Sequence, residues 1–324
     1  MQSHTPADDN SRERSSYRDS LKSMDTEEHI DLAFYRPIGY VWACLARRLG
    51  ITPNVITIAA IILGVAAGIA FYFDNMWINI AGMLLLVWAN SFDSADGQLA
   101  RMTHQYSQLG RILDGLCGDI WFFVIYAAIC LRENVTSEFF MAHPWAIWLI
   151  AAVTGVCHAK QAAMADYYRQ FHLFFLKGAE GSELERADDL KARLAAMPWR
   201  GNFWKKLTLT FYTNYTINQE AWTPAMQRLR RQLAVTFADG AEISPEFRSD
   251  FRRLSLPLMK YTNILSFNWR TIALFCAIFA CMPWLYFAFE LVVLNILLVY
   301  MMYRHEAICS QLTQDLKDGK YTRP

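Results

Sequence analysis

The sequence predicts an all-α polytopic membrane protein with six transmembrane helices, an N-terminal amphipathic helix on the membrane surface, and a cytoplasmic helical insertion between the fourth and fifth spans. Three observations carry this expectation. Apolar residues make up 54% of the 324 and gather in long runs separated by polar stretches, the pattern of a chain that crosses a bilayer repeatedly. Basic residues crowd into the terminal segments and the 102–109 and 177–260 links, whereas the loops on the opposite side hold almost none, Arg132 being the exception. Finally, the junction of the second and third apolar runs concentrates Asp93, Asp96, Asp114 and Asp119 with Arg101, and ionisable groups at a membrane boundary are costly unless they have a function.

In chain order, residues 1–28 are polar and lack the apolar core of a signal peptide, so they read as a disordered cytoplasmic tail. Residues 26–49 mix Ile30, Leu32, Phe34, Tyr40 and Trp42 with Arg36, Arg47 and Arg48, interrupted at Pro37, which predicts a broken interfacial helix. Thr52-Pro53 supplies an N-cap and a proline for the first helical position. The first span then covers 55–73. After the short turn at Asp74-Asn75 come a second span over 77–99, a third over 111–131 and a fourth from Pro144 to about 175. Spans over 267–281 and 284–303, joined near Pro283, complete the set and leave both termini on one side. By the positive-inside rule that side is the cytoplasm, and it carries the acidic cluster.

The organisation expected is therefore a tail over 1–28, a first membrane block over 29–176, an insertion over 177–260 and a second membrane block over 261–324. Within the insertion, Ser182 with Glu185 fits a capping box, and Thr223-Pro224 and Ser244-Pro245 each pair a capping residue with a proline. Three helices are expected there. Trp199, Phe203, Trp204, Lys205, Lys206, Phe211, Tyr212, Tyr215 and Trp222 suit either the headgroup region of an anionic leaflet or the insertion's own core. The seven cysteines are scattered with no CxxC pair, which reads as buried reduced thiols rather than a disulfide or zinc framework.

Asp93 and Asp96 lie three apart, so a helix puts them on one face. Gly97 and Ala100 keep the neighbourhood of the acids free of bulk. Two carboxylates ending one span and two opening the next can converge on hard divalent cations. Two ions would neutralise all four charges and could clamp a pyrophosphate, with Arg101 placed to help hold the remaining negative charge. A solvated turn with surface charges is the bland alternative. An ion site of a transporter is another, although that reading expects acids near mid-span rather than at an aqueous end.

The run Asp93-x-x-Asp96-Gly97-x-x-Ala100-Arg101, eight residues, Gly110, three residues, Asp114 resembles the signature of the CDP-alcohol phosphatidyltransferases. The Pro53-Asn54-x-x-Thr57 entry to the first span is also similar to that family. The resemblance implies a six-helix integral membrane enzyme, usually a homodimer, that uses Mg²⁺ or Mn²⁺. It implies transfer of a phosphatidyl group from a CDP-linked lipid, with CDP-diacylglycerol favoured by the span number, to an alcohol or alcohol phosphate, with release of CMP. Asp93, Asp96 and Asp114 are implied as metal ligands, Gly97, Ala100, Arg101 and Thr57 as nucleotide-binding residues, and the last aspartate as metal ligand and general base. A phosphotransferase of the CDP-choline or CDP-ethanolamine type, a transporter and an inactive scaffold are the competing classes, and no nucleic-acid partner is expected.

One position departs from the pattern. The family places its last aspartate four residues after Asp114, where this chain has Gly118, with Asp119 one further on. A single π-bulge between Asp114 and Asp119 would bring Asp119 back to the same face, and Gly115 and Gly118 make the backbone pliable there. Lys160 and Arg270 are the candidates for gripping an anionic acceptor. Snorkelling to the interface, or an ion pair with Asp166, is the structural alternative. With no targeting segment in view, a bacterial inner membrane is the simplest location.

Overall fold

The computed structural model describes residues 25–105, 108–177, 184–237 and 243–321. Among them there is no strand. The expected tail over 1–24 and the capping serine Ser182 lie outside the described residues. The chain clusters into two compact units, Met1–Val156 with Phe267–Leu291, and Cys157–Ser266 with Val292–Pro324.

In the first unit, Thr26 and Glu28 are buried, so the polar stretch is packed by residue 26. A π-helical turn, Asp31–Tyr35, leads into α1, Arg36–Arg48. Pro37 falls in the first turn of α1, where a missing backbone N–H costs little. The break expected at this proline is therefore absent.

Helix α2, Pro53–Ala70, starts at the predicted proline, although Thr52 makes no side-chain cap. Helix α3, Met76–Thr103, is capped by the Asn75 side chain, which accepts from the Trp77 and Ile78 amides. It ends at His104 in a left-handed conformation, φ 54°. Helix α4 covers Gln108–Thr136. The short α5, Glu138–Ala142, leads into α6, Pro144–Lys177.

Small residues let α2, α3 and α4 approach closely. A Cβ built on Gly64 would lie 2.1 Å from the Trp121 Nε1, and one on Gly82 would lie 2.8 Å from the Ala70 Cβ. With no hydrophobic driving force between helices in lipid, such close packing is the main source of association. Around it Phe71, Leu86, Trp121, Ile125 and Ile129 form a buried core. Arg132 is buried and paired with Asp74 at 2.5 Å.

The second unit contains the end of α6, then α7, Ala187–Ala196, α8, Phe203–Ala221, α9, Pro224–Thr236, and α10, Pro245–Ser255. The insertion thus has four helices rather than three among the described residues. The additional helix is α8, formed by the aromatic stretch expected to lie between the helices, and Pro198 and Gly201, the latter at φ 80°, separate it from α7. Ser244 caps α10 as expected by accepting from the Phe247 amide. Thr223 does not cap α9. Instead the Glu306 carboxylate accepts from the Ala225 and Met226 amides at 2.6 and 3.2 Å, placing negative charge at the helix N-terminus where the dipole favours it.

Next come α11, Met259–Ile264, and then α12, Phe267–Phe279, which returns the chain to the first unit. The last helical stretch is α13, Leu285–Ala288, a π-helical segment Phe289–Leu294, and α14, Asn295–Lys317. Among the described residues, four helical stretches are long and apolar enough to cross a membrane, namely Pro53–Ala70, Leu113–Thr136, Pro144–Leu176 and Leu285–Lys317. Of the other two expected spans, α3 is long but polar at its end. The 13 residues of α12 reach only about 20 Å, short of a hydrocarbon core of about 30 Å.

Candidate active site

The end of α3 and the start of α4 bring three carboxylates together. Asp93, Asp96 and Asp114 each offer an oxygen within 4.8 Å of the others. Asp96 is buried, Asp93 half-buried and Asp114 exposed. Three like charges this close repel unless a cation joins them. Hard carboxylate oxygens at this separation fit a divalent ion such as Mg²⁺ or Mn²⁺, and the open side at Asp114 leaves room for further oxygen ligands. The turn that aligns the two helices begins at His104, where the His104 and Gln105 amides both return to the Ala100 carbonyl.

Asp96 and Asp93 are braced. The Thr57 hydroxyl of α2 donates to Asp96 at 2.5 Å, and the buried Cys117 thiol hydrogen-bonds Asp93. Thr57 itself is buried, so it touches the carboxylate rather than the open space beyond it. Arg101 folds back along Gly97, its Nη1 3.5 Å from where a Cβ would stand. An alanine methyl at residue 97 would meet the guanidinium at ordinary contact distance.

The other face of α3 holds α1. Gln98 Nε2 donates to the Arg36 carbonyl at 3.0 Å, and Arg36 reaches the Ser94 hydroxyl at 3.4 Å while its guanidinium pairs with Glu27 at 3.0 Å. A Cβ on Gly39 would lie 2.9 Å from Ser94 Oγ, so glycine permits this approach. Neither this brace nor Cys117 was evident from sequence. The i+3 spacing of Cys117 from Asp114, shared with the Asp93 and Asp96 pair, is the signal that points to the thiol.

Residues 50–173 match the model of the CDP-alcohol phosphatidyltransferase family. That segment holds every residue of the acidic motif. The chain is also similar to an archaetidylinositol phosphate synthase of Pyrococcus horikoshii, 42% identical over 79 residues, which is 24% of this chain and 40% of the relative. The chain therefore spans about two fifths of the length of the curated relative it matches. No solved structure matches. This match, together with the four apolar helices among the described residues, supports an integral membrane protein.

Against the family pattern, Asp119 stands apart. Helix α4 is α-helical throughout, without the π-bulge expected between Asp114 and Asp119. Five residues of regular helix turn a side chain about 140°. Among the described residues, the acidic group that closes contains Asp93, Asp96 and Asp114 and not Asp119, which is exposed on α4.

The two expected acceptor residues are engaged elsewhere. Arg270 is buried and paired with Glu290 at 2.7 Å, and Glu290 also accepts from the Tyr126 and Tyr286 hydroxyls. Arg270 is buried rather than snorkelling. The reason is local: a charge on a buried helix face needs a partner, and the π-helical turn at Phe289–Leu294 carries Glu290 to it. Lys160, in the second unit, donates to the Asn218 side chain at 3.1 Å and lies 4.8 Å above the Trp222 ring.

Proposed function

We propose that this protein is a phospholipid-synthesising phosphotransferase that moves a substituted phosphate group from a CDP-linked lipid, CDP-diacylglycerol, to an alcohol with release of CMP. The convergence of Asp93, Asp96 and Asp114 on one point at the end of α3 carries the reading. Six spans, with α3 and α12 added to the four apolar helices and the acids on the cytoplasmic side, agree with the distribution of basic residues.

In this reading the acceptor hydroxyl attacks the lipid-side phosphorus, a new P–O bond forms and the pyrophosphate P–O bond breaks. The electron pair leaves with CMP. Asp93, Asp96 and Asp114 would hold one or two Mg²⁺ or Mn²⁺ ions, which would supply positive charge to the pyrophosphate and the departing phosphate. Arg101 and the bare backbone at Gly97 receive the nucleotide, and the Arg101 guanidinium adds positive charge where negative charge develops. Thr57 keeps the Asp96 carboxylate turned toward the site. Asp119 takes the hydroxyl proton from outside the three-acid group. Its exposure on a helix otherwise apolar enough to span supports this role, because an idle carboxylate there is costly.

The name of the Pyrococcus relative makes an inositol phosphate the first acceptor to test. Purified protein supplied with CDP-diacylglycerol, Mg²⁺ and a panel of inositol phosphate, glycerol phosphate, inositol and serine should release CMP with one of them and form the matching lipid by mass. Chelation of the metal should stop it. Absence of CMP release from every acceptor, with CDP-diacylglycerol and with CDP-choline plus diacylglycerol, overturns the transferase reading.

A further inference from the structure

Helix α8 is amphipathic in the inverse sense to a water-facing helix. Its buried face is polar: Thr213, Thr216 and Gln219 are 1, 4 and 5% exposed. The two threonines return their hydroxyls to the Leu209 and Tyr212 carbonyls, and Gln219 donates to the Ala163 carbonyl of α6 at 2.8 Å. Its outer face is aromatic. Trp204 is 76% exposed, Phe211 68% and Trp222, just beyond the helix, 48%. Trp204, Phe211, Tyr215 and Trp222 follow one another at intervals of seven, four and seven residues along one stripe, and Trp199 and Phe203 extend it at the helix entry.

A helix in contact with water puts its apolar stripe inward and its polar face outward, so this face is built for another medium. The charge pattern identifies that medium. Between Trp199 and Trp222 the bases are Arg200, Lys205 and Lys206, and the sole acid, Glu220, is paired with Arg230 at 3.0 Å. Arg200 and Lys205 are exposed beside the stripe, and Lys206 lies 5.0 Å above the Trp199 ring. Tryptophan and tyrosine rings interleaved with cations match the headgroup level of a bilayer, and net positive charge matches an anionic leaflet. The Lys, Asn and Gln content of α8 keeps it from crossing the membrane, and it is not among the helices apolar enough to do so.

We propose that the stripe of Trp199, Phe203, Trp204, Phe211 and Trp222, with Arg200 and Lys205, docks into the headgroup region of an anionic lipid leaflet, so that α8 lies along the membrane surface. This surface is separate from the acidic site and holds whether or not the transferase reading does.

The test uses the full-length protein in nanodiscs of phosphatidylcholine, with or without phosphatidylglycerol, made with ordinary or brominated acyl chains. The fluorescence of Trp204 is read as the difference between the native protein and Trp204→Phe, a conservative change at an exposed position. Docking requires that brominated lipid remove most of this difference signal, that aqueous iodide leave it intact, and that phosphatidylglycerol strengthen the bromine quenching. Replacing both Arg200 and Lys205 by glutamate should abolish that strengthening. Quenching by iodide and not by brominated lipid would place the stripe in water and overturn the proposal. Protection from both quenchers would mean a protein surface covers it, a second copy included, and would equally overturn it. Indifference to phosphatidylglycerol would refute the anionic partner.

Discussion

The Thr57 hydroxyl donates a hydrogen bond to the Asp96 carboxylate at 2.5 Å across 39 positions of sequence. Replacing Thr57 by valine keeps the shape and removes the donor. Loss of a hydrogen bond that orients a metal-binding carboxylate should raise the Mg²⁺ concentration for half-maximal CMP release about 10- to 100-fold. Thr57→Ser, which keeps the hydroxyl, should restore most of it. A metal titration of CMP release compares the three proteins.

The acids should separate into two groups. Asn at Asp93, Asp96 or Asp114 should abolish CMP release and weaken metal binding, because each removes a charge from the group that closes within 4.8 Å. Asn at Asp119 should lower kcat by about 10²- to 10⁴-fold, the usual share of a general base, while leaving CDP binding and the metal titration unchanged. An Asp119→Asn enzyme with native kcat would remove Asp119 from the reaction.

Two glycines should differ in what alanine does to them. At Gly64 a methyl group would stand 2.1 Å from the buried Trp121 indole, and such overpacking costs about 1–3 kcal/mol. At Gly97 the nearest atom is 3.5 Å away at the tip of Arg101. Thermal unfolding in detergent should show a lower Tm for Gly64→Ala and an unchanged one for Gly97→Ala, whose effect should fall on the Kd for the nucleotide.

Breaking the Arg270–Glu290 pair from one side should destabilise more than removing both charges. Arg270→Met leaves Glu290 buried without its cation, an error that costs about 3–5 kcal/mol in comparable buried pairs. The double variant Arg270→Met with Glu290→Gln should recover part of the loss. Tm values in one detergent measure the difference.

Asp250 is held below the usual aspartate range, at about 2, chiefly by the hydrogen bond from Lys320, with Tyr321 and Arg253 adding to it. A depressed carboxylate contributes stability that is complete above its unfolded value of about 3.9 and lost as pH falls through the folded value. Lys320 is correspondingly raised by Asp250, so its share is complete below the ordinary lysine value and fades as pH climbs above it. Hydrogen exchange of the segment around Lys320 should stay slow at neutral pH and accelerate between about pH 4 and pH 2. Asp250→Asn should remove this acid dependence.

Signals that act within one turn were legible in the sequence. Pro53 opens a helix, Ser244 caps one, and the three-residue spacing of Asp93 and Asp96 puts them on one face with Asp114 close by. Features settled by distant partners were not. The cap of α9 comes from Glu306, some 80 positions away, which no local pattern could reveal. The same holds for Arg270, whose partner lies in a π-helical turn of another segment. Whether the aromatics of α8 face in or out was open because both faces carry bulky or hydroxyl side chains. The buried threonines satisfy themselves on their own backbone and free the aromatics to face outward. At Asp119 an irregular helix was expected to rescue a familiar spacing, and the regular α-helical period prevailed.

The brace between α1 and α3 gives the intervening letters of the acidic signature a constraint of their own. Ser94 and Gln98 stand between or beside the aspartates, yet they face Arg36 and Gly39. In an alignment of relatives, positions 94 and 98 should therefore covary with positions 36 and 39, and not with the acids they adjoin. A change of Ser94 to a larger residue would be tolerated only where the juxtamembrane segment has receded to match.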